Sequence, residues 1–222
     1  MKENPDLRMV FIALDRELST RHSIAEYRFS TGMPLITQGV GVKRVYLISR
    51  GVMKLSFVNR SGREFILGLR SAPFLLGASN AILDSPSLVT AIALTPCSAR
   101  QLAAMHFRRL LRSSPELAYD VTHFLALESS RLTLEMMEAN SRGTRSRLIK
   151  LLRQLDVSIR ATSVPNVGLL KNHEIAKMLA ITPEHLSRLL HALQCEGLLL
   201  RDKRRIIIRD QTKEQSSAGI GK

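Results

Sequence analysis

The chain has 222 residues, of which 45% are hydrophobic and 23% charged, and its formal net charge is +14. This length allows one or two domains with hydrophobic cores, and the composition excludes an intrinsically disordered chain. The apolar run at residues 9–14 is too short for an export signal or a membrane span, so we expect a cytoplasmic protein. Two cysteines, Cys97 and Cys195, exclude a disulfide framework and the four thiolates that an iron–sulfur cluster generally needs.

Positive charge is concentrated in the C-terminal part of the chain. Residues 141–222 hold 16 lysines and arginines against 7 aspartates and glutamates, whereas residues 1–140 hold 17 against 12. A basic surplus of this kind favours a polyanionic partner.

The N-terminal half predicts a short helix over residues 1–20 and then β-structure to about residue 105. Apolar runs punctuated by glycines predict strands over residues 45–49, 52–58, 64–69 and 89–94, with a hairpin turn at residues 59–62. Several short strands at this spacing indicate a barrel or jelly roll.

A long helix is predicted from Pro115 to about Asn140, because no glycine or proline interrupts this segment. It carries two apolar stripes, one of which could cover the β-domain while the other meets a second copy of the chain. An ordinary core helix is the alternative, since sustained heptads are absent. We assign one stripe to a dimer interface: Val121, Leu125, Leu132 and Met136.

Residues 140–143 break this pattern and predict a hinge, after which a further amphipathic helix runs over residues 144–155. The tail from Gln211 is rich in Ser, Gln and Gly, and we expect it to be disordered. The predicted domains are a β-roll with an N-terminal helix (1–112), a dimerisation helix and hinge (113–140), a DNA-binding domain (141–210) and the tail (211–222).

A helix-turn-helix pattern lies between Leu170 and Leu200. One short helix starts at Asn172, and a second starts with Thr182 as N-cap and Pro183 at its first position. One stripe of the second helix is apolar and should be buried: Leu186, Leu189, Leu190 and Leu193. Another face is polar and could contact base edges: Glu184, Ser187, Arg188 and His191.

A basic hairpin follows the second helix and suits the phosphate backbone. Its turn between two apolar strands carries Arg201, Lys203, Arg204 and Arg205. Lys171 and the helix start at Asn172 could add phosphate contacts. Such contacts give affinity and salt dependence but little choice of sequence, and a solvated basic turn is the alternative.

The order of β-roll, long helix, hinge and winged helix-turn-helix resembles the Crp/Fnr superfamily of bacterial transcription regulators. The most specific match is Thr182-Pro-Glu-His-Leu-Ser-Arg188, similar to the recognition helix of the fumarate-nitrate-regulator branch, and Tyr46-Leu-Ile-Ser-Arg-Gly51 supports it in the roll. The resemblance implies an α+β fold with a cyclic-nucleotide-binding-like jelly roll. It also implies a homodimer on a pseudo-palindromic operator with TTGA-like half-sites, and RNA polymerase as a partner.

The resemblance further implies that Glu184, Ser187 and Arg188 contact the bases. The chemistry agrees, since a guanidinium can bind guanine in bidentate fashion and a carboxylate can accept from cytosine N4. A surface ion pair between Glu184 and Arg188 is the alternative. Thr182, His185 and His191 are auxiliary candidates for bases or phosphates.

The effector is not evident from the residues. The places where cyclic-nucleotide-binding relatives hold ribose and phosphate contain residues 76–80 and 84–88, which do not match, and from Ser71 to Ala99 the only charged residue is Asp84. We therefore expect neither cyclic AMP nor an iron–sulfur cluster, and predict no cofactor. Haem would need an axial ligand such as His22, His106 or His123. These histidines are isolated in the sequence, and no haem-ligand motif supports them.

Three alternatives stay open to a DNA-binding regulator whose effector is either an unidentified metabolite or absent. Haem or thiol redox chemistry could gate the regulator, although a small buried thiol is the default interpretation of Cys195. An enzyme could use Cys97 or Cys195 with a histidine, but no nucleophile motif supports this, and we expect no enzyme activity. The third alternative is a β-roll signalling or scaffold module. It would differ from a sequence-specific regulator because it would bind specific and random duplex DNA equally.

Overall fold

The computed structural model of the chain describes residues 26–141, 143–162, 170–202 and 205–208. The chain forms two units, Met1–Glu138 and Ala139–Lys222. The predicted N-terminal helix and the predicted disordered tail lie outside the described residues, and the three predicted boundaries between domains stay predictions.

Two antiparallel four-stranded sheets build the first unit, with strand orders β1-β8-β3-β6 and β2-β7-β4-β5. The strands are β1 (Tyr27–Phe29), β2 (Pro34–Ile36), β3 (Arg44–Arg50), β4 (Val52–Val58), β5 (Glu64–Ser71), β6 (Phe74–Leu76), β7 (Thr90–Ala93) and β8 (Cys97–Ala103). The predicted β-roll is confirmed. Prediction located β3, β4, β5 and β7 but missed the other four strands.

The hairpin between β4 and β5 forms where the sequence predicts it. The Asn59 side-chain oxygen accepts hydrogen bonds from the amides of Ser61 and Arg63, both at 3.0 Å. Gly62 takes a left-handed φ of 79°, which glycine adopts without the steric cost of a Cβ atom. The turn therefore sets the pairing of β4 with β5 from local interactions.

Three helices complete the first unit: α1 (Ala78–Leu83), α2 (Ala104–Ser113) and α3 (Pro115–Ser141). One core cluster joins the roll to these helices, with Val45, Phe107 and Leu117 almost fully buried. A second cluster lies around Ile48 and Met53. The predicted long helix is confirmed, but it continues through Ser141, so residues 140 and 141 of the predicted hinge are helical.

The second unit contains three helices and a hairpin: α4 (Thr144–Thr162), α5 (Asn172–Leu179), α6 (Pro183–Cys195), β9 (Leu199–Asp202) and β10 (Arg205–Ile208). Antiparallel pairing of β9 with β10 supplies the predicted wing. The core of this unit is dominated by leucines, among which Leu148, Leu186 and Leu193 are the most deeply buried. The α+β fold with a C-terminal winged helix-turn-helix is confirmed.

Candidate nucleic-acid interface

Helix α6 begins with the local interactions that its sequence predicts. Thr182 is the N-cap, and its hydroxyl oxygen accepts a hydrogen bond from the His185 amide at 3.2 Å. Pro183 occupies the first turn, where an amide hydrogen would have no helical partner. The turn before α6 places Ala180 at φ 54°, a left-handed conformation that costs a side-chain-bearing residue energy.

One face of α6 packs into the core of the second unit. Leu186, Leu190 and Leu193 are buried there, together with Ile175 and Leu179 of α5. Leu189 is half-buried, so the predicted apolar stripe is correct apart from this partial exposure. Burial of the stripe fixes the rotation of the helix about its own axis, and therefore fixes which side chains face solvent.

The opposite face of α6 is polar and accessible. Glu184, Ser187, Arg188 and His191 are exposed, and His185 is half-buried. They offer a carboxylate, a hydroxyl, a guanidinium and two imidazoles along one surface, which includes both acceptors and donors for base edges. None of these side chains has to be uncovered before a ligand can approach.

The Glu184 carboxylate is stabilised in its ionised form. Its own backbone amide, then the Thr182 hydroxyl and finally the Arg188 charge hold the pKa of Glu184 below its ordinary value. The side chain is therefore an anionic acceptor at neutral pH, the state needed to accept from an amino group of a base.

Cys195 lies at the end of the same helix and corrects our default interpretation of a buried thiol. The side chain is exposed, and its Sγ atom is 3.6 Å from Nε2 of His191, one helical turn earlier. Cys195 lies seven residues after Arg188 and four after His191, so the helix places it on the same exposed face as these two residues. Cys97, in contrast, is buried, and this burial raises the pKa of its thiol.

The start of α5 presents further polar groups. Lys171 and Asn172 are both exposed, and the Glu174 carboxylate accepts from the Lys171 amide at 3.0 Å. In the wing, Arg201 pairs with Ile206, and Arg205 with Asp202, across the β9–β10 ladder. Lys203 and Arg204, also predicted to contact phosphates, lie outside the described residues.

Contacts between helices hold the second unit together around this surface. The Arg145 guanidinium pairs with the Glu196 carboxylate, directly after α6. Arg147 donates to the carbonyl of Leu179 at 3.2 Å, at the end of α5. Both arginines belong to α4, so this helix supports the ends of the two helices that form the helix-turn-helix.

Helix α3 contains the four residues predicted for a dimer interface, and for one of them the prediction is wrong. Val121 is 1% exposed and belongs to the core cluster of its own roll, and Leu125 packs partly against that cluster. Leu132 and Met136 are exposed by 46% and 67%. Val121 therefore has no surface to offer a second chain, because it serves the first unit's own core.

The stripe of α3 that begins with Val121 continues as a charged cluster around Arg70. This arginine of β5 has a side chain only 10% exposed, and its guanidinium lies 3.5 Å from Glu128 and 3.8 Å from Glu135. Arg131 pairs with the same two carboxylates at 2.7 and 2.8 Å. Burial, followed by the charge of Arg131, lowers the pKa of Arg70, while the two carboxylates oppose this shift.

The prediction that no cation is available for a phosphate covered Ser71 to Ala99 and so did not include Arg70, which directly precedes this segment. Arg70 faces Met53 across the ladder, and Met53 lies in the core between the sheets. The interior of the roll therefore does contain a positive charge, with two carboxylates beside it. Within the described ranges, no cluster of three or more His, Cys, Asp or Glu side chains could hold a metal ion.

Comparison with known families matches both units. Residues 26–114 match the cyclic nucleotide-binding domain family, and residues 146–213 match the Crp-like helix-turn-helix domain family. No helix in the described part of the chain is both long and apolar enough to cross a membrane.

Individual relatives align over most of the chain. A probable transcriptional activator of Rhizobium leguminosarum is 30% identical over 200 residues, covering 88% of this chain and 81% of the relative. The cyclic AMP receptor protein of Thermus thermophilus is 26% identical over 175 residues, 77% of each chain. The structure of the c-di-GMP responsive global regulator CLP of Xanthomonas campestris has a TM-score of 0.71 at 18% identity, covering 89% of this chain and 98% of that one.

Proposed function

Since the chain belongs to the Crp/Fnr superfamily of transcription regulators, we propose that it binds a specific pseudo-palindromic operator as a homodimer, with one α6 helix in the major groove of each half-site. Family resemblance suggests half-sites similar to TTGA and RNA polymerase as the protein partner. Since DNA is the ligand, the cytoplasm is the proposed location. One relative is named a probable transcriptional activator, so regulation of transcription rather than catalysis is the proposed activity.

The observation that carries this proposal is the division of α6 into a buried leucine stripe and an exposed polar face. On that face Arg188 suits bidentate donation to guanine, and the ionised Glu184 suits acceptance from cytosine N4. Ser187 lies between them and can donate to or accept from several bases. These three side chains are the proposed base contacts.

The surrounding polar groups are proposed to hold the helix in the groove. Lys171 and Asn172 are exposed at the start of α5, where the helix N-terminus favours a phosphate. Arg201, Lys203, Arg204 and Arg205 would add phosphate contacts from the wing. Thr182, His185 and His191 remain auxiliary candidates, with Thr182 already engaged as the N-cap of α6.

The dimer proposal rests on the apolar side chains that α3 exposes in a single chain. Leu132 and Met136 lie one turn apart on one stripe, and Leu134 and Met137 are exposed on other faces of the same helix. Exposed apolar groups in this number along one helix favour burial against another surface. We therefore keep Leu132 and Met136 for the interface, with Leu125 at its edge, and exclude Val121.

Cyclic AMP is not the effector that we propose, even though one relative carries that ligand in its name. A buried cyclic phosphate needs a cation that is not already neutralised. The roll's Arg70 is paired with Glu128 and Glu135, so a phosphate would have to displace two carboxylates. The regulator either binds another metabolite or acts without one.

A thiol-gated regulator is the second candidate function, because Cys195 is exposed on the proposed DNA-binding helix. An oxidised or alkylated thiol there would add bulk close to His191. Haem gating has less support. Of the proposed axial ligands, His123 stacks on Tyr119 at 6.3 Å between ring centroids, and His22 lies outside the described residues.

Selection of binding sites from random duplex DNA tests the proposed function. The protein is purified in air, without added nucleotide, and challenged with the library at physiological salt. We expect a pseudo-palindrome whose half-sites lie about one helical turn, 10–10.5 base pairs, apart. Enrichment of no sequence at all, with binding to random DNA of equal strength, would contradict a specific operator and favour the scaffold alternative.

A further inference from the structure

Helix α2 presents an outward face that the proposed function does not use. Met105, Arg108, Arg109 and Arg112 recur at spacings of three, one and three, so they lie on one stripe of the helix. The opposite stripe, with Ala104 and Phe107 buried, packs into the core of the roll. The fold therefore displays three guanidiniums and one thioether together.

This stripe forms one wall of an open cleft, and the end of α1 forms the other. The cleft has a volume of about 480 Å³ and is lined by Ile82, Asp84, Met105, Arg108, Arg109 and Arg112. Its lining is apolar as well as charged, because Met105 is 58% exposed and Ile82 is 39% exposed. A solvated basic surface would not require this apolar exposure.

The three arginines differ in their partners. Arg108 donates to the Ala81 carbonyl and to the Asp84 carboxylate, both at 2.8 Å, and so is fixed across the cleft. In the part of the chain that the structure describes, neither Arg109 nor Arg112 has a hydrogen-bond or ion-pair partner. The cleft thus has one neutralised guanidinium and two that are available to a ligand.

We propose that this cleft binds an acidic, amphipathic segment of another protein. Two available guanidiniums can bind carboxylates in bidentate fashion, and Ile82 and Met105 can cover an apolar side chain between those carboxylates. Methionine adapts to different apolar partners because its side chain is flexible. The cleft is lined by three arginines and one aspartate, so its surplus of positive charge favours a negatively charged partner.

Two other ligands fit the cleft less well. A nucleic-acid backbone would use the arginines but would leave the apolar side chains of Ile82 and Met105 uncovered. A small anion would lie in a cleft too open to enclose it, whereas sites for small molecules usually bury most of the ligand. A protein segment uses both the charge and the apolar lining.

Selection from a phage-displayed library of random peptides of about 12 residues, roughly three helical turns, tests this inference. The full chain is the target at physiological salt, where non-specific attraction to a basic protein is screened. Counter-selection uses the double variant Arg109→Ala/Arg112→Ala. We expect enriched peptides that carry at least two acidic residues and an apolar residue within one or two turns.

Affinities of the resynthesised peptides, measured by fluorescence anisotropy, then separate the contributions. We expect about tenfold or greater weakening for Arg109→Ala/Arg112→Ala, and several-fold weakening for Met105→Ser. The matched control Arg50→Ala/Arg60→Ala removes two exposed arginines elsewhere on the roll and should bind like the wild type. Circular dichroism of each variant checks that it is folded.

Three results would overturn the inference. Failure to enrich any peptide over the counter-selection would exclude a peptide site at this cleft. Equal weakening by the Arg50→Ala/Arg60→Ala control would assign the binding to net charge. Displacement of the peptide by pyrophosphate, with no effect of Met105→Ser, would identify an anion site instead.

Discussion

Helices α3 and α6 differ in how their apolar side chains are distributed between the core and the surface. In α6 the leucines share one buried face and the polar residues share the other, so the helix is complete within its own chain. In α3 one stripe serves the roll, while Leu132, Leu134, Met136 and Met137 remain exposed. The difference indicates that α6 is built for a polar ligand and α3 for a second apolar surface.

The largest expected effect comes from breaking the second surface of α3. The double variant Leu132→Glu/Met136→Glu places two charges where we propose apolar contact between chains. We expect a monomer by sedimentation equilibrium at micromolar concentration, and at least about a 100-fold loss of operator affinity because two linked half-site contacts become one.

The variant Leu88→Glu provides the control, since it puts a charge at an exposed leucine of the roll. It should remain a dimer with unchanged operator affinity. A wild-type chain that is itself monomeric, or a double variant that stays dimeric, would rule out the proposed interface.

Removal of one carboxylate from the charged cluster around Arg70 should have the next largest effect, in this case on the free energy of unfolding. Glu128→Ala leaves Arg70, almost buried, with only Glu135 beside it at 3.8 Å. We expect the free energy of unfolding of the variant to fall by about 2 kcal/mol in urea denaturation, less than for a fully buried pair because Glu128 is partly exposed.

Replacement of the arginine itself distinguishes an ion-pair requirement from a volume requirement. Arg70→Met removes the buried charge, keeps much of the side-chain volume, and leaves both carboxylates paired with Arg131. We expect a change in unfolding free energy below about 1 kcal/mol in either direction. Equal losses for Glu128→Ala and Arg70→Met would contradict this account of the cluster.

The exposed face of α6 can be examined through its thiol. With Ellman's reagent at mildly alkaline pH, we expect about one thiol per chain, Cys195, to react within minutes. Cys97 should react only on unfolding, because it is buried and its raised pKa keeps it protonated. Cys195→Ser should abolish the rapid phase, and a rapid phase that survives this change would refute the assignment.

The smallest predicted effect concerns the turn that orients α6. Ala180→Gly relieves the left-handed conformation at φ 54° but also makes the unfolded chain more flexible. These effects partly cancel, so we expect a stabilisation of at most about 1 kcal/mol in thermal unfolding. A marked destabilisation would show that the Ala180 methyl group makes a contact worth more than the strain.

Features fixed by local sequence could be predicted well. The strand over Val52–Val58 and the start of α3 at Pro115 match their predictions, as do the N-cap Thr182 and the buried leucines of α6. Each depends on periodicity, a cap or a breaker within a few residues. Strands of three residues, such as β1 and β6, were missed because so short a segment shows no alternation.

Features that join distant segments could not be predicted. Arg70 meets Glu128 and Glu135 only after the chain has folded the roll against α3. Val121 and Leu132 lie on one stripe of α3, so periodicity could not decide that Val121 belongs to the roll and Leu132 to the surface.

The central claim is that the polar face of α6 selects the DNA sequence. Affinities of wild-type protein and Arg188→Ala for the selected operator and for random duplex DNA test it most directly, at one salt concentration. We predict that Arg188→Ala loses about 1–3 kcal/mol on the operator and relaxes choice at one base pair, with random DNA bound as before, whereas Arg201→Ala weakens both comparably. An equal loss on operator and random DNA for Arg188→Ala would contradict the claim.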